Sequence, residues 1–553
     1  MAVKSDRGQE VKRVFEHLRN AHDRTNFESY WEHAARLCYP AYNEFFRNTA
    51  RTGTQGERRD QFVYDCTPIV SVQRFTAIMK SLLMPRGRVW HYLKPSSERA
   101  RRRRRNLLWC EQANAALYAK RYEPSANFDG QSDVVLNSLG VFGTAPLFTD
   151  RMRGGLRYKA CFVGDIYYDE NHQGIIDTVY RRFDLNARGA VQMFEDVPEG
   201  VQKQANDSEQ QFDASEYVHC VRPSGNYSKN AFVFESVYIH LDSGLEVTPR
   251  DQKNEGGYNT FPYAISRYIT GPYEKYGRGP AMTVLSEIEQ LNAMRRTAIR
   301  ASQKASDPPL LLSDDGIFGG QTEVNLNAGG LNPGYVDMNG RPKIVPLVSG
   351  ANHRENDVEM AYSRGLINDA FLVSLFQIMQ DNPRMSATEA AIRAQEKGFM
   401  LAPTVGRQES ELLGPLIQRE LDVLIDSGQI DPPPDDLIEN GGLEVVYDNP
   451  LTRMAKAEEN AGLQQTYDQY IQVAQIDVQE AQKTGFNLSR AFRRMAENRA
   501  VPTDVFDSDE EIQARMQAMQ ERADQAQQAQ LAPQVARAAK DLAAAQQMRA
   551  EVR

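Results

Sequence analysis

The chain has 553 residues, 41% of them hydrophobic and 25% charged, with a formal net charge of −9 at neutral pH. That length exceeds one ordinary core, so several subdomains are expected, and the composition excludes a disordered chain. The negative balance excludes a protein that simply coats nucleic acid, although DNA could still slide past such a surface without sticking.

The amino terminus, "MAVKSDRGQEVKRVFEHLRN", lacks the apolar core and cleavage pattern of a secretory signal. No apolar stretch approaches the ~18 residues of a membrane span. Cytoplasmic synthesis without export is therefore expected, with assembly deciding the final location. Helical spacing of apolar residues marks "EVKRVFEHLRNAH" and "FESYWEHAARLCYP", the second stopped by Pro40. In "CTPIVSVQRFTAIMKSLLMP", Thr67 reads as a cap, Pro68 occupies the first turn and Pro85 follows the end. "RVWHYLKP" reads as a short strand. The run Arg101 to Arg105 lies in "SSERARRRRRNLLWCEQANAALYAKRY", which reads as helix. At ~100° per residue five arginines cannot share a face, so solvated or intersubunit ion pairs are expected rather than DNA contact.

From about Thr144 to Tyr268 the apolar period changes to two. Hairpins are expected around Asn171 to Gly174 and around Asp242 to Gly244, with a further strand in "FPYAISRYI" and a helix capped by Asn186. This is an α+β subdomain inserted in a helical protein. "YGRGPAMTVLSEIEQLNAMRRTAIRASQKASDPPLLL" then predicts one long helix from Ala281 to Ser306, about 39 Å at ~1.5 Å per residue. Its stripe is Leu285, Ile288, Leu291, Met294, Ala298 and Ala301. Arg295, Arg296, Arg300 and Lys304 crowd its carboxyl end, where the helix dipole favours cations.

Leu310 to Gly350 is rich in turn formers, with strand-like "PLLLS", "GYVDM" and "KIVPLV". "NDVEMAYSRGLINDAFLVSLFQIMQ" predicts a second long helix, followed by a loop at Asp381 to Met385. A third helix opens on a capping box, Ser386 and Glu389, and bends near Pro403 and Gly414-Pro415. A strand in "LEVVYDNP" and an Ala/Gln-rich helical tail complete the chain.

Cys38, Cys66, Cys110, Cys161 and Cys220 form no CxxC pair, so reduced and mostly buried thiols are expected. Walker, dinucleotide-binding, HExxH and GxSxG signatures are missing. Asp314-Asp315, Asp435-Asp436 and Asp509-Glu510-Glu511 read as solvated turns or helix starts rather than metal ligands. No catalytic residue, metal or cofactor is expected.

Taken in order, these segments resemble the portal (head-to-tail connector) proteins of short-tailed, autographivirus-type phages. The likeness rests on "YDCTPIVSVQRFTAIMKSLLMPRGRVWHYLKP", "NSLGVFGTAPLF", the stretch from Tyr276 to Leu312, "DNPRMSATEAAIRAQEKG" and "VYDNPLTRMAKAEE", spanning Tyr64 to about Lys456. It implies a mainly α fold with an α+β wing, arranged as wing, stem, clip and crown in a dodecameric ring with a central channel.

Mapped on this chain, the resemblance implies a wing at 1–275, a first stem helix at 276–306 and a clip at 307–350. A second stem helix at 351–380, a tunnel loop at 381–386, a kinked wing or crown helix at 387–440 and a crown with helical barrel at 441–553 would follow. Asn382, Pro383, Arg384 and Met385 would line the DNA channel, with Arg384 alternatively capping or bridging a neighbouring helix. Arg295, Arg296, Arg300 and Lys304 would line the channel or bridge adjacent subunits; Asp314, Asp315, Phe318, Tyr335 and Arg341 would meet the motor or adaptor.

The partners implied are double-stranded DNA, the terminase large subunit, tail adaptor or nozzle proteins, major capsid and scaffolding proteins, and internal core proteins, with no membrane. The location implied is the capsid portal vertex of the virion, after assembly in the host cytoplasm. The competing reading is a non-enzymatic DNA-binding or scaffold (internal virion) protein using the arginine runs. The residues themselves agree with a ring, because an apolar stripe longer than one small core can use needs further copies to cover it.

Overall fold

The computed structural model describes residues 6–40, 60–101, 103–152, 155–225, 232–250, 256–312, 325, 327, 331, 335–336, 338–346, 353–374, 401–439, 441–448, 450–476, 485–499, 501, 505–507, 511–523, 525 and 540. They divide into two units: residues 1–90, 116–430 and 447–451, and residues 91–115, 431–446 and 452–553.

The first unit contains the expected α+β insert. Ile166–Glu170, Ile176–Asn186, Ala214–Pro223, Phe234–His240 and Leu245–Val247 form an antiparallel meander in chain order, with Gly257–Tyr258 added to Phe234–His240. Alternation gives this sheet two buried faces. Val218, Cys220, Val237 and Ile239 meet Val11 and Phe15 of helix Asp6–Arg19. On the other face Tyr217, Tyr238 and Val247 pack on Phe194 and on Ala187 and Ala190 of helix Ala187–Met193. That helix is capped by Asn186, whose Oδ1 accepts from the Gly189 N–H at 2.7 Å, as expected. Burying a side chain such as Phe15 contributes about 1.5–3 kcal/mol.

A second sheet places Thr144–Met152 between Tyr263–Arg267 and Gly155–Ala160. His219 joins the two sheets: its Nδ1 lies 2.7 Å from the Tyr263 hydroxyl and its ring stacks on Tyr238 at 4.1 Å.

Helix Phe128–Phe142 packs on Thr67–Leu83 and on His22–Cys38. It ends at Gly143, whose φ of +70° turns the chain into Thr144–Met152. A Cβ there would stand 2.2 Å from the backbone of Arg278 and Gly279, so only glycine fits. Thr67 does not cap its own helix: Asp65, two residues upstream, accepts the Thr67 N–H at 2.9 Å. Of the bends expected in the third long helix, Pro403 sits in unbroken helix at 401–408. The distortion falls at Glu409–Leu413, a π-turn running into helix Gly414–Asp426. Pro415 has no N–H for an α-helical bond, and the wider turn absorbs the missing donor. Tyr447 donates to the Glu409 carbonyl at 3.0 Å.

In the second unit His91–Pro95 forms a two-stranded sheet with the strand that starts at Leu443. The arginine run is not one helix: Glu98–Arg101 ends and Arg104–Arg121 starts anew. Arg101 pairs with Glu444 at 2.7 Å, Arg103 with Asp436, and Arg104 with Glu511 at 2.8 Å. Two acidic clusters expected in solvated turns thus supply partners within the same chain, because like charges crowded on a short segment are relieved by opposite ones. Helices Pro450–Ile476 and Leu488–Asn498 are joined by Arg494 and Glu459 at 2.8 Å. Four of the five cysteines are buried and Cys66 is exposed.

Candidate functional site

The long helix expected from Ala281 to Ser306 is interrupted. Pro280–Thr283 forms a single turn, Val284 leaves the helical conformation, and the outgoing helix proper is Leu285–Ser306. Leu285, Ile288 and Leu291 are buried, whereas Met294, Ala298 and Ala301 are half-buried, so coverage of the stripe tapers toward its far end. Asp307-Pro308-Pro309 ends the helix, and Leu310–Leu312 pairs antiparallel with Ile344–Pro346 in the register Leu310 to Pro346 and Leu312 to Ile344. Val336 bridges Pro342, and Lys343 donates its N–H to the Tyr335 carbonyl at 2.9 Å.

The return helix, His353–Ala370, packs on the outgoing helix, and Ser363 donates to Glu287 at 3.2 Å. It starts earlier than its apolar pattern suggested, and Phe371 and Leu372 turn out of it, Leu372 with a φ of +62°. The expected continuation from Leu375 to residue 380 lies outside the described residues, as does the Ser386 and Glu389 capping box.

The base of this hairpin is clamped by polar groups. Asn292 accepts the Tyr64 N–H at 2.7 Å and donates to the Phe62 carbonyl at 2.8 Å. Ser71 donates to Asn368 at 2.9 Å, and Arg364 grips Asp65 at 2.7 Å. Burial pulls the Asp65 carboxyl upward, but the Thr67 hydrogen bonds and the Arg364 guanidinium outweigh it and hold Asp65 below the ordinary carboxylate value. An open cleft of about 440 Å³ beside Asp65 is bordered by Arg74, Arg295 and Arg364.

Among the anticipated site residues, Arg295 borders this cleft and the Arg296 guanidinium lies 5.7 Å from the Tyr64 ring centre. Both border a neighbouring segment of their own chain while remaining exposed. Arg300 and Lys304 are exposed. Tyr335 is buried beside its turn and Arg341 is exposed. Asp314, Asp315, Phe318, Asn382, Pro383, Arg384 and Met385 lie outside the described residues. Sequence reasoning missed Asn292 and the Asp65–Arg364 pair. The Asp-x-Thr-Pro spelling before the helix was a local signal for Asp65; no local signal announces a partner 299 residues away.

The arrangement offers positioning and charge. His219 is sealed between sheets, held neutral by burial and by Arg181. Among the described residues no cluster of three or more His, Cys, Asp or Glu could hold a metal ion, and no helix is long and apolar enough to cross a membrane.

The family model described as "Bacteriophage head to tail connecting protein" matches residues 8–506. The chain is 24% identical to the portal protein of Salmonella phage epsilon15 over 92% of its own length and 90% of that protein. It is also 24% identical to the probable portal protein of Bordetella phage BPP-1, over 75% and 74% of the two chains. Among solved structures, a chain from the neck of an empty GTA particle computed with C6 symmetry aligns with a TM-score of 0.34 at 10% identity, covering 76% of this chain and 94% of that one.

Proposed function

The chain belongs to the family of bacteriophage head to tail connecting proteins, and from that premise we propose that it is a phage portal, the ring at one capsid vertex through which double-stranded DNA enters and leaves. Two similar proteins from phages carry the portal name. The observation that carries the reading is the outgoing helix, its closing ladder and the antiparallel return helix, all within the matched residues. In this reading those helices are the stem, 307–350 is the clip and 381–386 is the loop at the constriction. The insert with its amino-terminal helices is the wing, 387–440 is the kinked helix and 441–553 is the crown.

The ring is taken as dodecameric, with adaptor and terminase meeting the clip and capsid proteins meeting the wing. Its work is structural, done through symmetry and charge. Arg384, repeated around the axis, supplies a positive band that meets passing phosphates, while the net charge of −9 limits adhesion elsewhere.

The test is location in the particle. A gold-labelled tag on the carboxyl terminus should mark one vertex per capsid in micrographs of assembling heads. Label spread over many vertices, or free of capsids, would contradict the assignment. A plain DNA-binding protein would instead grip duplex DNA as an isolated subunit, with a steep salt dependence.

A further inference from the structure

The return helix has two apolar faces, and one chain covers only one of them. Met360, Ser363 and Ile367 are buried. Val358 and Tyr362 stand on the opposite side, as ~100° per residue requires. They are 68% and 64% exposed, and Gly365 continues their line with an open surface. Asp357 and Glu359 flank them and are exposed. The outgoing helix is complementary: its uncovered side presents Gln290, Ala293 and Thr297, small or flexible groups, and its exposed charges beyond Glu289 are Arg295, Arg296, Arg300 and Lys304.

Heights along the hairpin follow from the Glu287–Ser363 bond. The two helices rise equally and in opposite directions. Six residues along, Ala293 stands level with Asp357, and Val358 lies within one residue of the same height. In a ring with cyclic symmetry every copy sits at one height, so levels within a chain carry over to its neighbour.

We propose that Val358 and Tyr362 of one copy seat on the Gln290, Ala293 and Thr297 face of the adjacent copy, with Asp357 turned toward that copy's Arg296. The occupant is a second copy of this chain, chosen by opposite charge and matching height; the inference rests on the ring reading above. It assigns the exposed face of the return helix to subunit contact and leaves the channel to other residues.

The test uses the full chain with Cys66 replaced by Ser. Ala293→Cys combined with Val358→Cys should give, on mild oxidation, a ladder of covalent multimers on a denaturing gel, which either single cysteine alone does not give. Tyr362→Arg should raise the concentration needed for assembly at least tenfold while leaving the monomer's circular dichroism and melting unchanged, because the side chain is exposed in the single chain. If the parent forms rings, the double variant stays uncrosslinked and Tyr362→Arg assembles normally, the face assignment is overturned and the ring reading stands. If the parent stays monomeric at every concentration and salt tried, the ring reading falls, and this interface with it.

Discussion

Arg121 and Glu420 are both fully buried, with Arg121 Nε 3.0 Å from Glu420 Oε1 and the Tyr158 hydroxyl donating to the same carboxylate. The guanidinium also lies 4.6 Å from the Trp90 ring centre. Such a pair is weak evidence of stabilisation, but removing one partner strands the other charge without water. Glu420→Ala should therefore cost about 3–5 kcal/mol in denaturant unfolding, and Glu420→Leu with Arg121→Met should cost much less. His219 gives a second prediction. Burial and the facing Arg181 push its proton affinity down, so the unfolded state binds the proton that the folded state refuses. Its contribution is complete above about pH 6.5 and falls by up to about 1.4 kcal/mol per pH unit below it, toward the depressed folded value. His219→Gln should flatten that acid slope in melting curves recorded from pH 7 to 5.

Among the elements, the junction at Gly143 is the least tolerant. Gly143→Ala forces a side chain into a left-handed conformation and into the Arg278–Gly279 backbone, which should cost about 3 kcal/mol or more in thermal unfolding. The hairpin base is softer. Asp65→Ala removes the acceptor of the Thr67 N–H and a partly exposed ion pair, a loss of about 1–2 kcal/mol at pH 7. Because the Asp65 carboxyl is held below its usual value, that difference should persist above about pH 4 and vanish as pH falls through the folded value, measured as the gap between variant and parent melts. Local rules made much of this legible. Period-two alternation marked the insert, Asn186 its cap and Asp307-Pro308-Pro309 the helix end. What stayed hidden was set by distant contacts: the break at Val284, the split of the arginine run, and Asp436 and Glu511 as its partners.

At the scale of the whole molecule, sequence reasoning reached the portal reading through resemblance, and the family match over residues 8–506 bears it out. The copy number had no local signature, because a stripe left half-covered at Met294, Ala298 and Ala301 asks for partners without counting them. Arg384→Glu should leave rings intact, as judged by native mass, while lowering the DNA retained per head. Loss of rings with normal folding would place Arg384 in a subunit interface instead. The most direct measurement is the rotational symmetry of the purified chain in electron-microscope images. Closed rings with a central hole and twelvefold symmetry are expected; a monomer or dimer at high concentration, across a range of salt, would contradict the portal assignment.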